Sequence, residues 1–389
     1  MDMGFLNPLL HRAGPWASVY MDTSAVAEDA VAVRELQARD ACERLAETGA
    51  DEATCRAVFD TLSGVTREDA GQAVFATDGE AVLRVPLSVP PPSPAPTSWA
   101  ALPRIAPLLD YGEREPTCLV AFVDRRGADL QLRGTHGRPR PAGHVEGDQQ
   151  WPIHRTGRAD WSERHFQLAV ENTWEQNAAR IAETLAADAE ASHAELLVLA
   201  GDPRQRRSVH ERLPEPLREI TVESEHGGRS AGTKDNRLDE DVERARGERA
   251  RSRAEETLDR FRAGRSIAGD GIDAAEGLPA LVDAAREHRI SSLLVRPDGP
   301  DLHRDVWVGA EPDQVSVRKS DAQYLGATMP AAARADDALL RSAAANGAEV
   351  IALPAADGDP REVPVGGLGA LLRWPFSDGN PGGGIRPGH

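Results

Sequence analysis

The sequence predicts an α/β protein of three domains, with mixed sheets packed against helices. Three observations lead there. The chain has 389 residues of which 40% are hydrophobic, which is material for more than one core. Segments of helical periodicity alternate with short apolar strands, the pattern of layered α/β domains. Polar or Pro/Gly-rich stretches interrupt the chain at Val89–Thr97, at 223–236 and from Ser377 onward. The resulting division is an α+β domain over 1–112, a middle domain over 113–224, an α/β domain over 237–376 and a tail, 377–389, expected to be disordered.

In the first domain, Ala17–Asp22 alternates like a strand. Residues 25–48 carry Ala, Val, Glu and Arg at helical spacing. Asp51–Leu62 reads as a second helix with Asp51 as its N-cap. Gln72–Ala76 and Glu80–Val85 are expected to pair through the turn Thr77-Asp78-Gly79. Val89–Thr97 (VPPPSPAPT) is expected to be a stiff, extended connector over the surface, because proline fixes φ and removes donors.

In the middle domain, Cys118–Val123 and Ala128–Leu132 form a second expected hairpin through Asp124-Arg125-Arg126-Gly127. Residues 133–150 lack apolar periodicity and read as loop. A long helix follows, with Phe166, Val170, Trp174, Ala178, Ile181 and Leu185 in one apolar stripe. Asp160 or Ser162 suits its N-cap, and Glu163 suits the first turn of the dipole. Leu196–Leu199 is a buried strand, followed by a helix over Pro203–Arg212 and a strand over Glu219–Val222.

A heavily charged helix over Leu238–Arg262 has Leu258 and Phe261 as apolar anchors. The last domain then offers helices at Leu278–Glu287 and Ala335–Asn346, and strands at Ser292–Val295, Val306–Val308 and Val350–Leu353. Gly347 is placed as a C-cap. Asp270-Gly271-Ile272-Asp273 reads as a helix cap, and His226-Gly227-Gly228 as a flexible joint. Gly366-Gly367-Leu368-Gly369, ahead of Ala370–Trp374, has no Lys-Ser/Thr and is no phosphate cradle; it reads as glycines that admit a final strand to a crowded sheet.

The net charge of −18 argues against indiscriminate binding to nucleic acid or anionic lipid. Only Lys234 and Lys319 are lysines, so arginine number reflects composition and only arginine clustering is informative. No stretch of about 18 apolar residues is present, so no membrane span is expected. The opening MDMGFLNPLLHRAGPW has no positive n-region, and a cytoplasmic location is expected. Cys42, Cys55 and Cys118 form no C-x-x-C pair and are expected to be reduced thiols.

The clustering that stands out lies in Arg125–Gln167. Arg125, Arg126, Arg133, Arg138, Arg140, Arg155, Arg158 and Arg164 face only Asp129, Glu146, Asp148, Asp160 and Glu163. Guanidinium forks suit phosphate oxygens, and Trp151 and Trp161 offer stacking faces. The alternatives are an RNA-contacting loop and a solvated loop with incidental arginines. His154, Asp160 and His165 have no zinc spacing, and Ser162 with His165 in one helical turn is poor nucleophile geometry. No catalytic residue, metal or cofactor is expected.

The order of hairpin, basic loop, long helix, Leu197–Gly201 strand, Gly-Gly loop, charged helix and GGLGALLRW ending (Gly366–Trp374) resembles the archaeal and eukaryotic class-1 release factors and Pelota. It resembles more closely their bacterial relatives, including Vms1-like proteins and the Balon-type ribosome hibernation factors of actinobacteria and other bacteria. The likeness spans about residues 116–376. It implies a three-domain release-factor/Pelota-like architecture, with the long helix of the middle domain projecting a loop over 133–162. In the release factors this loop carries Gly-Gly-Gln, whose glutamine helps place a water on the ester of peptidyl-tRNA. Here the stretch His154–Trp161 keeps one glycine, Gly157, and no glutamine follows it; Gln167 lies too deep in the helix. The Asn-Ile-Lys-Ser sequence that reads codons is also missing.

The resemblance therefore implies a ribosome-binding translation factor that occupies the A site, a hibernation or stress factor without peptidyl-tRNA hydrolysis. It directs His154, Arg155, Gly157, Arg158, Asp160, Trp161 and Arg164 towards rRNA at the peptidyl-transferase centre. Arg133, Arg138 and Arg140 become additional RNA-facing cations. EF-Tu or another translational GTPase is the partner implied for the last domain, with no membrane partner and a monomeric chain. The alternatives are a Vms1-like peptidyl-tRNA hydrolase or nuclease in ribosome rescue, and a non-ribosomal interaction scaffold.

Overall fold

The computed structural model describes residues 3–10, 12–24, 30–64, 70–112, 116–134, 139–147, 161–228, 236–265, 273–353 and 363–374. Within it the chain forms two compact units, Met1–Arg114 with Arg253–His389, and Glu115–Ser252.

The N-terminal segment contains α1 (Asn7–Leu10), β1 (Trp16–Asp22), α2 (Ala30–Glu47), α3 (Glu52–Ser63), β2 (Gly71–Thr77), β3 (Glu80–Leu87), β4 (Thr97–Ala100) and α4 (Leu108–Tyr111). Its strands form an antiparallel sheet of order β3-β2-β1-β4. Asp51 caps α3 by accepting from Thr54 N at 2.8 Å. The β2–β3 turn places Asp78 and Gly79 at φ 50° and 75°, the left-handed region a tight hairpin requires. One face of the sheet buries Val19, Met21 and Val74 against Ala38, Leu45, Val58 and Leu62 of α2 and α3. The Val89–Thr97 stretch is more than a surface connector. Pro91 and Ala95 are buried, Pro96 O accepts from Tyr20 N, and Thr97 begins β4, which completes the sheet beside β1.

The second unit contains β5 (Cys118–Asp124), β6 (Gly127–Arg133), β7 (Arg140–Glu146), α5 (Trp161–Ala191), β8 (Leu196–Gly201), α6 (Pro203–His210), α7 (Glu215–Glu219) and β9 (Thr221–Glu223). The sheet order is β7-β6-β5-β8-β9, antiparallel on the β7 side and parallel from β5 to β9. The parallel β5–β8 connection needs a crossover, and α5 supplies it. Ala178, Ile181, Ala182, Leu185 and Ala189 of α5 pack against Leu119, Ala121, Leu130 and Leu197. Part of the expected loop 133–150 is the strand β7. Sequence periodicity misses it because it is an edge strand with every side chain exposed except Val145, and its pairing comes from β6 backbone across an irregularity at Leu130/Gln131. Gly201 ends β8 at φ 109°, where a Cβ would lie 2.2 Å from Val123 O.

The charged helix α8 (Asn236–Gly264) buries Leu238, Val242 and Ala245 against Cys118, Val120 and Val198 in the second unit. Its later residue Phe261 packs with Ala274, Leu294, Ile351 and Leu371 in the first unit.

The C-terminal segment contains β10 (Ala274–Glu276), α9 (Leu278–Arg286), β11 (Ile290–Val295), β12 (Asp305–Val308), β13 (Val315–Ser316), α10 (Lys319–Tyr324), β14 (Ala331–Arg334), α11 (Ala335–Ala345), β15 (Glu349–Ala352) and β16 (Leu368–Leu372). One sheet has the order β10-β16-β11-β15, and a small antiparallel sheet the order β13-β12-β14. The residue expected to help cap a helix, Asp273, instead leads into β10, and Gly277 at φ 81° precedes α9; residues 270–272 lie outside the described residues. The final strand does enter a crowded sheet. β16 runs between β10 and β11, and a Cβ on Gly369 would come within 2.8 Å of both Phe261 and Pro364.

The first and last segments of the chain share one core. Leu6, Leu9, Tyr20, Phe75 and Ile105 cluster with Leu281, Leu293, Leu339 and Leu340. A buried charge cluster ties the same elements. Arg104 Nη1 lies 2.9 Å from both Asp336 Oδ2 and Asp337 Oδ2, and Asp337 Oδ1 also accepts from Ile105 N and Ala106 N. Arg334 supplies a second cation to Asp336. The two aspartates need both arginines, because a buried carboxylate without a partner is costly.

Candidate functional site

Of the residues expected to contact RNA, Arg138, His154, Arg155, Gly157, Arg158 and Asp160 lie outside the described residues. Trp161 and Arg164 fall in the first turn of α5, where the backbone is helical. Asp160, one of the two expected caps, also lies outside. What the structure does define is the junction before 148–160, at Gly147, and its contact with the middle of α5.

That framework is built on the β5–β6 turn. Asp124 Oδ1 accepts from Arg126 N at 2.7 Å, which fixes the turn. Arg126 O accepts from Gly147 N at 2.7 Å and so holds the residue that follows β7. On the other side, Asn177 Nδ2 of α5 donates to Arg125 O at 3.4 Å. The Arg125 guanidinium sits 4.6 Å from the centre of the Trp174 ring, a cation–π contact of about 0.5–1 kcal/mol when exposed. Gly147 leaves no room at this junction: a Cβ there would fall 2.5 Å from Asn177 Nδ2 and 2.6 Å from Cγ. Asn177 is 1% exposed and cannot swing into solvent. One turn therefore holds the end of β7 and the middle of α5 together.

The helix itself has 31 residues, about 46 Å at 1.5 Å per residue. Its buried residues from Thr173 to Ala189 fix it to the sheet. Of the expected stripe, Ala178, Ile181 and Leu185 are buried and Trp174 is half-buried, while the Phe166 and Val170 side chains lie outside the described residues.

The remaining expected cations sit differently. Arg133 ends β6 at 8% exposure, with Nη2 2.7 Å from Asp239. Its charge is engaged inside the unit, a placement that composition cannot reveal. Arg140 is exposed on β7, as are Arg125 and Arg126 at the turn. His144 lies on β7 and is also exposed. Sequence reasoning misses Asn177 and Gly147. A polar residue beside the apolar stripe, three positions after Trp174, is the one available signal for Asn177.

A second polar cluster surrounds Asp241 on α8. Asp241 Oδ2 accepts from Ser224 Oγ at 2.6 Å and pairs with His226 Nδ1 at 2.9 Å, and Arg244 binds Oδ1. These donors, His226 foremost, then Ser224 and Arg244, hold the Asp241 carboxyl well below the usual carboxylate range. Ser, His and Asp are present, but serine and histidine both bind the carboxylate and do not act in series. The hydroxyl is not activated, so this is no nucleophile. The cluster corrects the reading of His226-Gly227-Gly228 as a flexible joint. His226 is tied to Asp241, and Gly227 at φ 90° would place a Cβ 2.7 Å from Leu238 Cδ2. Glycine here permits a close approach. Among the described residues no group of three or more His, Cys, Asp or Glu could hold a metal ion. No described helix is long and apolar enough to cross a membrane.

Residues 117–266 match the model of the bacterial archaeo-eukaryotic release factor family 2. The chain is 29% identical over 379 residues to the Mycobacterium tuberculosis (strain ATCC 25618 / H37Rv) protein described as "Uncharacterized protein Rv2629", covering 95% of this chain and 96% of that one. Among solved structures, the archaeal translation termination factor aRF1 aligns at 15% identity over 96% of this chain and 99% of its own, with a TM-score of 0.25. Archaeal Pelota, from a model of ribosome-bound Pelota and ABCE1, aligns at 14% identity over 96% and 94%, with a TM-score of 0.40.

Proposed function

We propose that the chain, which matches the bacterial archaeo-eukaryotic release factor family 2 over residues 117–266, is a ribosome-binding translation factor that occupies the A site. The observation that carries the proposal is the family match combined with the residues at the family's catalytic tip. His154–Trp161 retains cations and Gly157 but no Gly-Gly-Gln. Without the glutamine, this stretch lacks the family's group that helps place water on the ester. The protein then holds the site without emptying it, which is the behaviour of a hibernation or stress factor.

The framework around Gly147 and Asn177 supports this reading. It holds Gly147, the residue before 148–160, and the middle of α5 to one turn, a fixed base of the kind a contact loop needs if its geometry is to be reproducible. Arg125 and Arg126 add exposed positive charge at that base, in a chain whose net charge of −18 limits nonspecific RNA binding elsewhere. A translational GTPase such as EF-Tu is the proposed partner of the C-terminal segment.

The test is incubation of the full chain with stalled ribosomes carrying peptidyl-tRNA. Persistent occupancy without peptide release or tRNA cleavage is expected. Release or cleavage that disappears in His154→Ala or Asp160→Ala assigns the alternative, a Vms1-like hydrolase or nuclease. A protein that never comigrates with ribosomes in gradients from starved cells is an interaction scaffold instead.

A further inference from the structure

None of the three cysteines is in a disulfide, and two of them are neighbours. Cys42 lies in α2 and Cys55 in α3, 13 residues apart in sequence. Their contacts are reciprocal. Cys42 Sγ lies 3.2 Å from Cys55 O, and Cys55 Sγ lies 3.8 Å from Cys42 O. Each sulfur therefore points across the helix pair onto the other residue's backbone. Both side chains are half-buried, so small reagents reach them, whereas Cys118 is 0% exposed in the second unit's sheet.

We propose that Cys42 and Cys55 form a redox-modification site, a vicinal dithiol that low-molecular-weight disulfides oxidise to an intramolecular disulfide clamping α2 to α3. A disulfide needs the two sulfurs at about 2.0 Å. Each sulfur already lies within 3.8 Å of the opposite residue's carbonyl oxygen, which puts the two side chains side by side across the helix pair. The chemistry balances by two exchanges. The Cys55 thiolate attacks one sulfur of the oxidant disulfide, forms a mixed disulfide and releases one small thiol. Cys42, deprotonated in turn, attacks the Cys55 sulfur, forms the internal S–S bond and expels the second small thiol. Two electrons pass from the pair to the oxidant, and the two cysteine protons leave on the two released thiols.

Cys55 takes the first step because it is the less enclosed thiol. Burial, with Cys55 beside it, pushes the Cys42 thiol up to about 11, and burial with Asp51 also raises Cys55. Both are thus protonated near neutral pH and the exchange is slow, which suits a response to sustained oxidation. The clamp acts on the helical layer that covers the N-terminal sheet, where Leu45, Val58 and Leu62 form the buried face.

The test equilibrates the full-length protein with oxidised and reduced glutathione at graded ratios. Free thiols are then alkylated, and the non-reduced digest is analysed by mass. A Cys42–Cys55 linked peptide is expected, with Cys118 alkylated as a thiol. Amides of α2 and α3 should exchange at least about tenfold more slowly in the oxidised protein. Cys42→Ser should trap Cys55 as the mixed disulfide, with no link. Two results overturn the proposal. One is both cysteines carrying glutathione without joining at the most oxidising ratio. The other is both remaining alkylated there while an exposed thiol on a control protein is fully converted.

Discussion

Replacing Gly147 with alanine tests the junction beneath the candidate loop. The backbone there is ordinary for an L residue, so space alone decides the outcome. The new methyl would lie 2.5 Å from Asn177 Nδ2, 2.6 Å from Cγ and 2.9 Å from Oδ1. A buried side chain with 1% exposure has no exit, so α5 or the end of β7 must shift. Overpacking of this kind costs about 1–3 kcal/mol. Asn177→Ala removes the obstructing amide and its long bond to Arg125 O, a loss of about 0.5–1.5 kcal/mol. In the double variant the methyl occupies the vacated space. The two costs should then fall short of additivity by about 1 kcal/mol or more. Native-state hydrogen exchange of 140–147 and 173–180 measures the four proteins locally, which avoids treating a two-unit chain as a single transition. Ribosome affinity should follow the same order, falling in Gly147→Ala and recovering in the double variant. Strictly additive costs would refute the contact, and unchanged exchange in Gly147→Ala would refute the packing argument itself.

Other predictions concern separate parts of the molecule. Burial and the neighbouring Asp336 push the Asp337 carboxyl up to about 6, against the pull of Arg104. A carboxyl raised in the folded state contributes stability below the unfolded value near 4 and loses it as pH rises through about 6. The stability of the protein relative to Asp337→Asn should therefore fall across pH 4–6, by an amount on the order of 3 kcal/mol; urea titrations at stepped pH check this, and a rise over that interval would contradict it. Arg104→Ala leaves Asp337 without its cation and should destabilise the first unit by about 3–5 kcal/mol, measured by urea unfolding. Gly201→Ala sets a Cβ 2.2 Å from Val123 O at φ 109°; thermal unfolding of the second unit should show a loss of about 2–4 kcal/mol. Arg155→Glu with Arg158→Glu should weaken ribosome association and flatten its salt dependence in filter-binding assays; an unchanged slope would mean that these side chains do not meet RNA.

Long or strongly patterned elements are legible in the sequence. The Ala178–Leu185 part of the α5 stripe, the β5–β6 hairpin and the Asp51 cap follow from periodicity and local chemistry that need no distant partner. The glycines before β16 are legible too, because a Gly-Gly-x-Gly run without phosphate-binding partners asks for close packing, and Gly369 meets Phe261 and Pro364. What escapes is decided by distant partners. β7 has no buried face to give it a period, and its existence depends on β6. β10, β13 and β14 are too short for any pattern. The Arg104–Asp336–Asp337 cluster joins residues over 230 positions apart, so linker composition cannot show that 1–114 and 253–389 share a core. For the candidate site, chemistry and framework divide cleanly. The cations and the missing glutamine are properties of sequence, whereas the Gly147–Asn177 contact exists only once β7 and α5 are brought to the same turn.

The central claim is met most directly by a cryo-EM map of the full-length protein bound to vacant bacterial ribosomes. Density for the chain in the A site, with residues 154–161 directed at the peptidyl-transferase centre, is the predicted result. Density at any other ribosomal site, or an A-site position with 154–161 turned away from that centre, would contradict the account.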